Sequence, residues 1–258
     1  MFDLAQKHGA VIVSPNYRLM PEATSREIFE DMEDFWAWLH STTTADFLAQ
    51  QHNVQLDLSR VLVAGESAGG LLSVCLALSR PHEIRSCTAG YPCVDMTSDH
   101  FTKPSDAPLL GASFPSSLVA DYAAQVAGQS MISSAYPPAR LDLMLAAVQR
   151  GQITELYERD INGWNRTARY PFEKLDQTDT VLPVGGIAIL HGLQDDVVPI
   201  EGCERFVAKA RNAMKGRPGA DKIVLTGREG GHGFDGEVGL EEPWLLDHLK
   251  FALEAWLH

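Results

Sequence analysis

The sequence predicts an α/β fold, in which a mostly parallel sheet is flanked by helices. Short strand patterns and longer helix patterns alternate along the 258 residues, which is typical of such sheets. One glycine-rich turn, at residues 65–69, joins a β-branched run to an apolar run with helical spacing. A chain of this length buries a large core, and a single α/β domain of this size is ordinary.

The individual elements follow from the spacing of apolar residues. Short apolar runs predict strands at residues 10–14, 60–64, around 87–91, 186–190 and 222–225. Apolar residues three and four apart predict helices over 25–39, 68–79, 141–148, 153–157, 202–214 and from 243 to the end. The run 60–64 is continuous and apolar, as expected of a strand that is buried on both faces.

Residues 95–182 interrupt this alternation. They are rich in Ser, Pro, Asp and Ala, and few helical patterns occur among them. Long insertions in compact domains are usually functional or disordered, so we expect a cap or lid over the site. The predicted α/β core is then 1–94 together with 183–258, and the predicted cap/lid insertion is 95–182. The alternative is a connecting segment without a role in substrate binding.

Composition and charge exclude several classes of function. The net charge of −13 makes nucleic acid and anionic membrane surfaces poor partners. No apolar run is long enough to span a bilayer, and the N-terminal residues lack a signal-peptide pattern. The four cysteines lack metal-binding spacing, and no cofactor or metal motif is present. We therefore expect a cytoplasmic protein, since free cysteines fit a reducing compartment.

The glycine-rich turn carries the strongest functional pattern. Its residues, Gly65-Glu66-Ser67-Ala68-Gly69, match G-x-S-x-G between a strand and a helix, which is the pattern of a nucleophile elbow. The turn is so tight that only glycine-sized neighbours clear the backbone. Ser67 is therefore the candidate nucleophile; the alternative is an ordinary serine in a glycine-rich turn.

A serine hydroxyl needs a base, and the base needs a carboxylate that orients it. Asp195 lies on a turn directly after the predicted strand 186–190, and the adjacent Asp196 is a less favoured alternative. His232 lies in a glycine-rich loop after the strand 222–225, which suits an exposed imidazole. His191, at the end of a strand, is interpreted as structural. The chain order Ser, Asp, His is that of α/β hydrolases.

Three segments resemble the hormone-sensitive-lipase-like branch of the α/β hydrolases, the "fold-3" esterases. Residues 65–70 are close to its G-D-S-A-G-G motif, and residues 17–22 match its Y-R-L-x-P-E motif. Residues 231–234 match its histidine loop. The resemblance extends over nearly the whole chain, and the segment 95–182 is the least constrained by it.

The resemblance implies an α/β-hydrolase fold and a Ser67–His232–Asp195 catalytic triad that needs no cofactor. It also implies that the backbone N–H of Ala68 contributes to the oxyanion hole. The expected reaction is hydrolysis of carboxylic esters with small, fairly apolar acyl groups through an acyl-enzyme. Lactones and thioesters use the same machinery, so the expected partner is a small ester-like molecule.

One feature of the family has no counterpart in this sequence. The H-G-G motif that precedes Y-R-L-x-P-E is absent, so the fold is expected to be N-terminally shortened. In the family's strand order the corresponding strand lies between 10–14 and 60–64. Three explanations stay open: an omitted upstream segment, a natural short form that dimerises through a sheet edge, and a ligand-binding protein. A lyase or cyclase that uses His232 as a base is a further alternative.

Overall fold

The computed structural model of the protein describes residues 1–136, 139–217 and 219–258. Within these residues a single parallel sheet has the strand order β1-β2-β3-β4. The strands are β1 (Val61–Glu66), β2 (Ile84–Gly90), β3 (Ile187–Gly192) and β4 (Ile223–Arg228). The helices are α1 (Phe2–His8), α2 (Ser25–Leu39), α3 (Thr42–His52), α4 (Ser67–Ser79), α5 (Asp99–Thr102), α6 (Leu118–Val126), α7 (Leu141–Gln149), α8 (Ile153–Glu158), α9 (Arg166–Arg169), α10 (Pro171–Leu175), α11 (Ile200–Ala213) and α12 (Pro243–Leu257).

The predicted α/β fold with a parallel sheet flanked by helices is confirmed. Every helix predicted from apolar spacing is present, and each end lies within about two residues of the expected position. Four of the five predicted strands are present as β1 to β4. The spacing of apolar residues therefore identified these helices and these four strands correctly.

The predicted strand at residues 10–14 is wrong, because this segment has no regular structure. A strand requires a neighbour whose backbone groups pair with its own. β1 is an edge of the sheet, and no strand among the described residues pairs along its outer side. Residues 10–14 therefore have no ladder to join, and Val11 and Ile12 remain 48% and 46% exposed.

The expectation that the strand before the glycine-rich turn is buried on both faces is also wrong. None of the residues of β1 is buried, whereas every residue of β3 is buried. The difference follows from position, since β3 lies between two strands and β1 has a neighbour on one side only. Continuous apolar composition does not distinguish the two positions.

Contacts divide the chain into two compact units. The first unit comprises Met1–Ser14, His40–Asp95 and Tyr170–His258, and it contains the whole sheet. Helix α4 packs against β1 and β2, α11 packs against β3 and β4, and α12 packs against β2 and β3. Neighbouring strands of the sheet follow one another in sequence order. Right-handed crossovers therefore put α4 and α11 on the same face of the sheet. The buried Ser86 hydroxyl donates to the carbonyl of Ala252 at 3.0 Å and ties α12 to β2.

The second unit comprises Pro15–Leu39 and Met96–Arg169, and it is helical. The fully buried Arg169 donates to Ser25 Oγ at 2.8 Å and forms an ion pair with Glu158. Within the Y-R-L-x-P-E motif, Arg18 donates to Asp31 of α2, and Glu22 pairs with Arg140 at 2.6 Å. Both charged residues of the motif therefore connect segments of this unit.

The two units and the expected domains have different bounds. Residues 170–182 belong to the first unit with the sheet, and Pro15–Leu39 belongs to the second. Pro137 and Pro138 of the expected cap, and also Pro218, lie outside the described residues. The role of 95–182 as a cap stays a prediction.

None of the helices in the described part of the chain combines the length and the apolar character needed to cross a bilayer.

A buried histidine on α12 makes the stability of the first unit depend on pH. His248 is 4% exposed, and its Nδ1 lies 2.9 Å from Thr226 Oγ1. Its Nε2 is buried and has no hydrogen-bond partner among the described residues, and burial lowers the pKa of His248 to about 4. The unfolded chain takes up a proton near the ordinary pKa of about 6.5, whereas the folded chain resists protonation until about pH 4. Stability is therefore complete above pH 6.5 and falls as the pH drops through this window.

We expect His248→Gln to remove this part of the pH dependence. Between pH 7 and pH 4 the wild type should lose up to about 3 kcal/mol of unfolding free energy more than the variant loses. Urea denaturation at several pH values measures the difference. His82→Gln is the control, because His82 is exposed. Parallel pH curves for the wild type and His248→Gln would contradict the assignment.

Candidate active site

Ser67 lies at the junction of β1 and α4, in a backbone conformation that is unusual for a serine. β1 ends at Glu66 and α4 begins at Ser67, whose φ is +52°. Such left-handed conformations in residues other than glycine are strained, and they persist where the surrounding structure requires them. The turn therefore projects the serine side chain out of the carboxyl end of the strand, as in a nucleophile elbow.

Gly65 makes this tight turn feasible. A Cβ atom at Gly65 would lie 2.2 Å from the carbonyl oxygen of Gly69 and 2.7 Å from Ser73 Oγ. At Gly69, a Cβ would meet no atom within 4 Å. The first glycine of the motif is thus required by the close approach of strand and helix, and the last glycine is not.

Asp195 lies in the loop after β3, and the backbone fixes its carboxylate. Oδ1 accepts hydrogen bonds from the N–H groups of Val197 at 3.0 Å and Val198 at 2.9 Å. Oδ2 lies 2.8 Å from Nδ1 of His232, and the Asp195 side chain is fully buried. The neighbouring Asp196 is exposed. Of the two carboxylates considered from the sequence, the structure brings Asp195 to the histidine.

His232 lies in the loop after β4 and connects the other two side chains. Its Nε2 lies 3.1 Å from Ser67 Oγ, while its Nδ1 bonds Asp195. Gly230 precedes it with φ +133°, and a Cβ there would lie 2.5 Å from Cβ of Phe234. The loop therefore folds back tightly on itself and presents the imidazole.

The acceptor atoms determine where the protons lie in this chain of hydrogen bonds. Burial would raise the pKa of Asp195, but hydrogen bonds from His191, His232 and the Val198 N–H outweigh it and hold that pKa well below its usual range. Asp195 is therefore a carboxylate and accepts a hydrogen bond from Nδ1–H of His232. The lone pair of the neutral imidazole then lies on Nε2, which can accept the Ser67 hydroxyl proton.

His191, interpreted as structural from the sequence, lies beside the acid. Its Nε2 is 2.7 Å from the carbonyl oxygen of Val198 and 3.5 Å from Oδ2 of Asp195. A carbonyl oxygen only accepts hydrogen bonds, so the proton of His191 is on Nε2. His191 thus holds both the loop and the carboxylate.

Gln194 joins the loops that carry Asp195 and His232, and sequence reasoning did not identify it. Its backbone N–H donates to the carbonyl of Gly230 at 2.9 Å, and its Oε1 accepts from the Gly230 N–H at 2.6 Å. Its Nε2 donates to Glu229 at 2.8 Å. These three bonds connect the two loops one residue before the acid and two residues before the histidine.

Tyr91, directly after β2, was also missed. Its hydroxyl donates to Oε2 of Glu66 at 2.9 Å, and its ring centroid lies 4.5 Å from that of His232. The sequence does carry a signal for it, because the carboxyl ends of neighbouring parallel strands meet at one edge of the sheet. Tyr91 follows the strand adjacent to the one that carries Ser67.

Ala68 is the second residue of α4, so its backbone N–H lies in the first turn of the helix. N–H groups in a first turn have no acceptor within the helix, and the helix dipole makes this end favourable for negative charge. Among the described residues, no group of three or more His, Cys, Asp or Glu side chains could hold a metal ion.

Comparison with known proteins identifies the class. The profile of a family described as "alpha/beta hydrolase fold" matches residues 1–148, which is more than half of the chain. The chain therefore belongs to the α/β hydrolase family. The resemblance to the hormone-sensitive-lipase-like branch is confirmed.

Two fungal relatives bear the name "Probable carboxylesterase". The relative from a Phoma species is 28% identical over 265 residues, which cover 99% of this chain and 78% of that protein. The relative from Cochliobolus lunatus is 33% identical over 200 residues, which cover 73% of this chain and 86% of that protein.

Solved structures share the fold at low identity. A Staphylococcus aureus protein of unknown function has a TM-score of 0.61 and 18% identity, and the match covers 94% of this chain and 77% of that chain. A carboxyl esterase of the fungus Tuber melanosporum has a TM-score of 0.54 and 16% identity, and the match covers 100% of this chain and 71% of that chain. Similarity at this level supports the fold and nothing finer.

The two glycines of the turn provide a matched pair of substitutions. We expect Gly65→Ala to reduce the free energy of unfolding by about 3 kcal/mol or more, because the new Cβ meets backbone atoms. Gly69→Ala should leave it unchanged or raise it by up to about 1 kcal/mol, since alanine favours a helix. Urea denaturation compares them, and equal losses would contradict the close approach.

Proposed function

We propose that the protein hydrolyses carboxylic esters through an acyl-enzyme on Ser67. The observation that carries the proposal is the position of His232, which lies within hydrogen-bond reach of Ser67 Oγ and of Asp195 at the same time. This arrangement of nucleophile, base and orienting carboxylate is suited to acyl transfer. The names of the two fungal relatives support the same class of reaction.

In the acylation step, Ser67 Oγ attacks the ester carbonyl carbon while Nε2 of His232 takes the hydroxyl proton. The imidazolium that forms is stabilised by the carboxylate of Asp195, which keeps its charge because its pKa is held low. Collapse of the tetrahedral intermediate breaks the bond to the alcohol oxygen. His232 gives its proton to that oxygen, and the alcohol leaves.

Deacylation repeats the same proton transfers with water. His232 takes a proton from water, whose oxygen attacks the acyl carbon attached to Ser67. The second intermediate breaks the bond to Oγ, which recovers the proton from His232 as the carboxylic acid leaves. In both steps we assign the N–H of Ala68 to the developing oxyanion. One such donor typically contributes about 10²–10³ in rate.

The proposed substrates are esters with small, fairly apolar acyl groups, and lactones or thioesters would react by the same steps. We propose that residues 95–182 act as the cap that sets the fit of the acyl group. A series of p-nitrophenyl esters of increasing chain length measures this preference.

The role of Ser67 is tested with a short-chain p-nitrophenyl ester and a fluorophosphonate label. We expect turnover and labelling of the wild type, and Ser67→Ala should lower kcat by at least about 10⁴-fold and abolish labelling. Ser79→Ala is the matched control on the same helix, because its hydroxyl donates to the Leu76 carbonyl at 2.9 Å. A folded wild type that neither turns over esters nor takes the label would disprove the proposal.

Substitution of each of the two adjacent carboxylates tests which of them orients His232. Asp195→Asn leaves the imidazole in the wrong tautomer and should lower kcat by about 10⁴-fold, with little effect on KM. Asp196→Asn, at an exposed position, should change kcat by less than about threefold. Steady-state kinetics at pH 7 on both variants measures the contrast, and losses of the same size would argue against the assignment.

A further inference from the structure

The segment that follows β2 contacts the turn around Ser67 at several points. Pro92 lies so close to α4 that a Cβ on Gly70 would be 2.8 Å from the Cβ of Pro92. The thiol of Cys93 donates weakly to the carbonyl of Ser67, with the sulfur 3.7 Å from the oxygen. The residue before these two, Tyr91, contacts the histidine loop as well.

The backbone of Tyr91 has an unusual conformation that a hydrogen bond to β3 holds in place. Its φ is +36°, and its N–H donates to the carbonyl of Leu190 on β3 at 2.6 Å. A left-handed conformation costs about 1–3 kcal/mol in residues other than glycine, so the contacts around Tyr91 must compensate. The residue is 5% exposed. Such strain is common where a side chain is aimed at a functional site.

The ring of Tyr91 supports the imidazole of His232. The ring centroids are 4.5 Å apart and the planes are inclined by 60°, which is an edge-to-face contact. The His191 ring lies on the same tyrosine with its centroid 6.5 Å away. His232 is thereby held between the Tyr91 ring, Asp195 and Ser67.

The hydroxyl of Tyr91 lies between two carboxyl groups. It donates to Glu66 at 2.9 Å, and Asp235, in the histidine loop, also interacts with it. Burial raises the pKa of Asp235, and the negative charge of Glu66 adds to this effect. Burial and these two carboxylates likewise raise the pKa of Tyr91, so the phenol keeps its proton. The hydroxyl therefore links the strand of Ser67 to the loop of His232.

We propose that Tyr91 is a positioning residue for His232: its ring fixes the imidazole plane, and its hydroxyl ties that ring to Glu66. The inference rests on the proposed function, in which His232 transfers the proton. The hydrogen bond to Asp195 fixes the distance of Nδ1 but leaves the imidazole free to rock about that bond. Contact with the Tyr91 ring removes this freedom and keeps Nε2 directed at Ser67.

Two substitutions separate the ring from the hydroxyl. Tyr91→Leu removes the ring and should lower kcat by about 10-fold or more with KM within about twofold, since aromatic pairs contribute such factors. Tyr91→Phe keeps the ring and should lower kcat by only about threefold to fivefold. Ser86→Ala is the control, because it removes a buried hydroxyl of β2 that donates to the Ala252 carbonyl at 3.0 Å, outside the site. It should keep the kcat of the wild type.

A double-mutant cycle tests the hydrogen bond to Glu66. Glu66→Ala should lower kcat by no more than Tyr91→Phe does, because Asp235 remains as a second partner of the hydroxyl, and the double variant should lose no more than Tyr91→Phe alone. Glu66→Gln retains an acceptor oxygen and should restore most of the activity. Multiplicative losses in the double variant would overturn the role of the hydroxyl, and an unchanged kcat in a folded Tyr91→Leu would overturn the role of the ring.

A readout without substrate keeps this inference separate from the proposed function. The proton of the His232 Nδ1–H bond gives a downfield NMR resonance, which His232→Gln assigns by its absence. We expect Tyr91→Leu to broaden this resonance most, and Tyr91→Phe and Glu66→Ala to broaden it by a smaller, similar amount. If Tyr91→Leu does not fold, broadening in Glu66→Ala and recovery in Glu66→Gln test the same link. A sharp resonance in every folded variant would overturn the inference, even if ester turnover is absent in the wild type.

Discussion

Parallel pairing of four strands is the constraint on which the site depends. It places the carboxyl ends of β1, β2, β3 and β4 along one edge of the sheet, and each strand end is followed by one residue of the site. These residues are Ser67, Tyr91, Asp195 and His232. Because backbone hydrogen bonds set the register, the sheet places these four positions near one another. Hydrogen bonds and ring contacts between the side chains then fix their geometry.

The sequence was sufficient for the elements whose identity depends on local patterns. Helical spacing identified α2, α4 and α12, and the glycine pattern identified the turn at Ser67. Residues 10–14 show the limit of such reasoning, since an apolar run forms a strand only if a neighbouring strand is available for pairing. Whether that neighbour exists depends on the rest of the sheet, and this information is not contained in the run itself.

The site was predictable to the same degree. Ser67 and His232 were recognised because each belongs to a short motif, and Asp195 because it follows a predicted strand. The structure places the three side chains in one chain of hydrogen bonds. Tyr91 and Gln194 were not recognised, because their importance arises from contacts across loops that are far apart in sequence. A search for polar or aromatic residues at the carboxyl end of each predicted strand, or just beyond it, would have identified Tyr91.

The position of β1 at the edge of the sheet has a consequence for local stability. Amide groups on an outer strand with partly exposed side chains open more readily than those of a central strand such as β3. Ser67 follows this outer strand, whereas Asp195 follows the most protected one. Fraying of β1 would therefore dismantle the serine geometry while the rest of the sheet stays folded. In hydrogen-exchange experiments we therefore expect the amides around Ser67 to be less protected than those around Asp195.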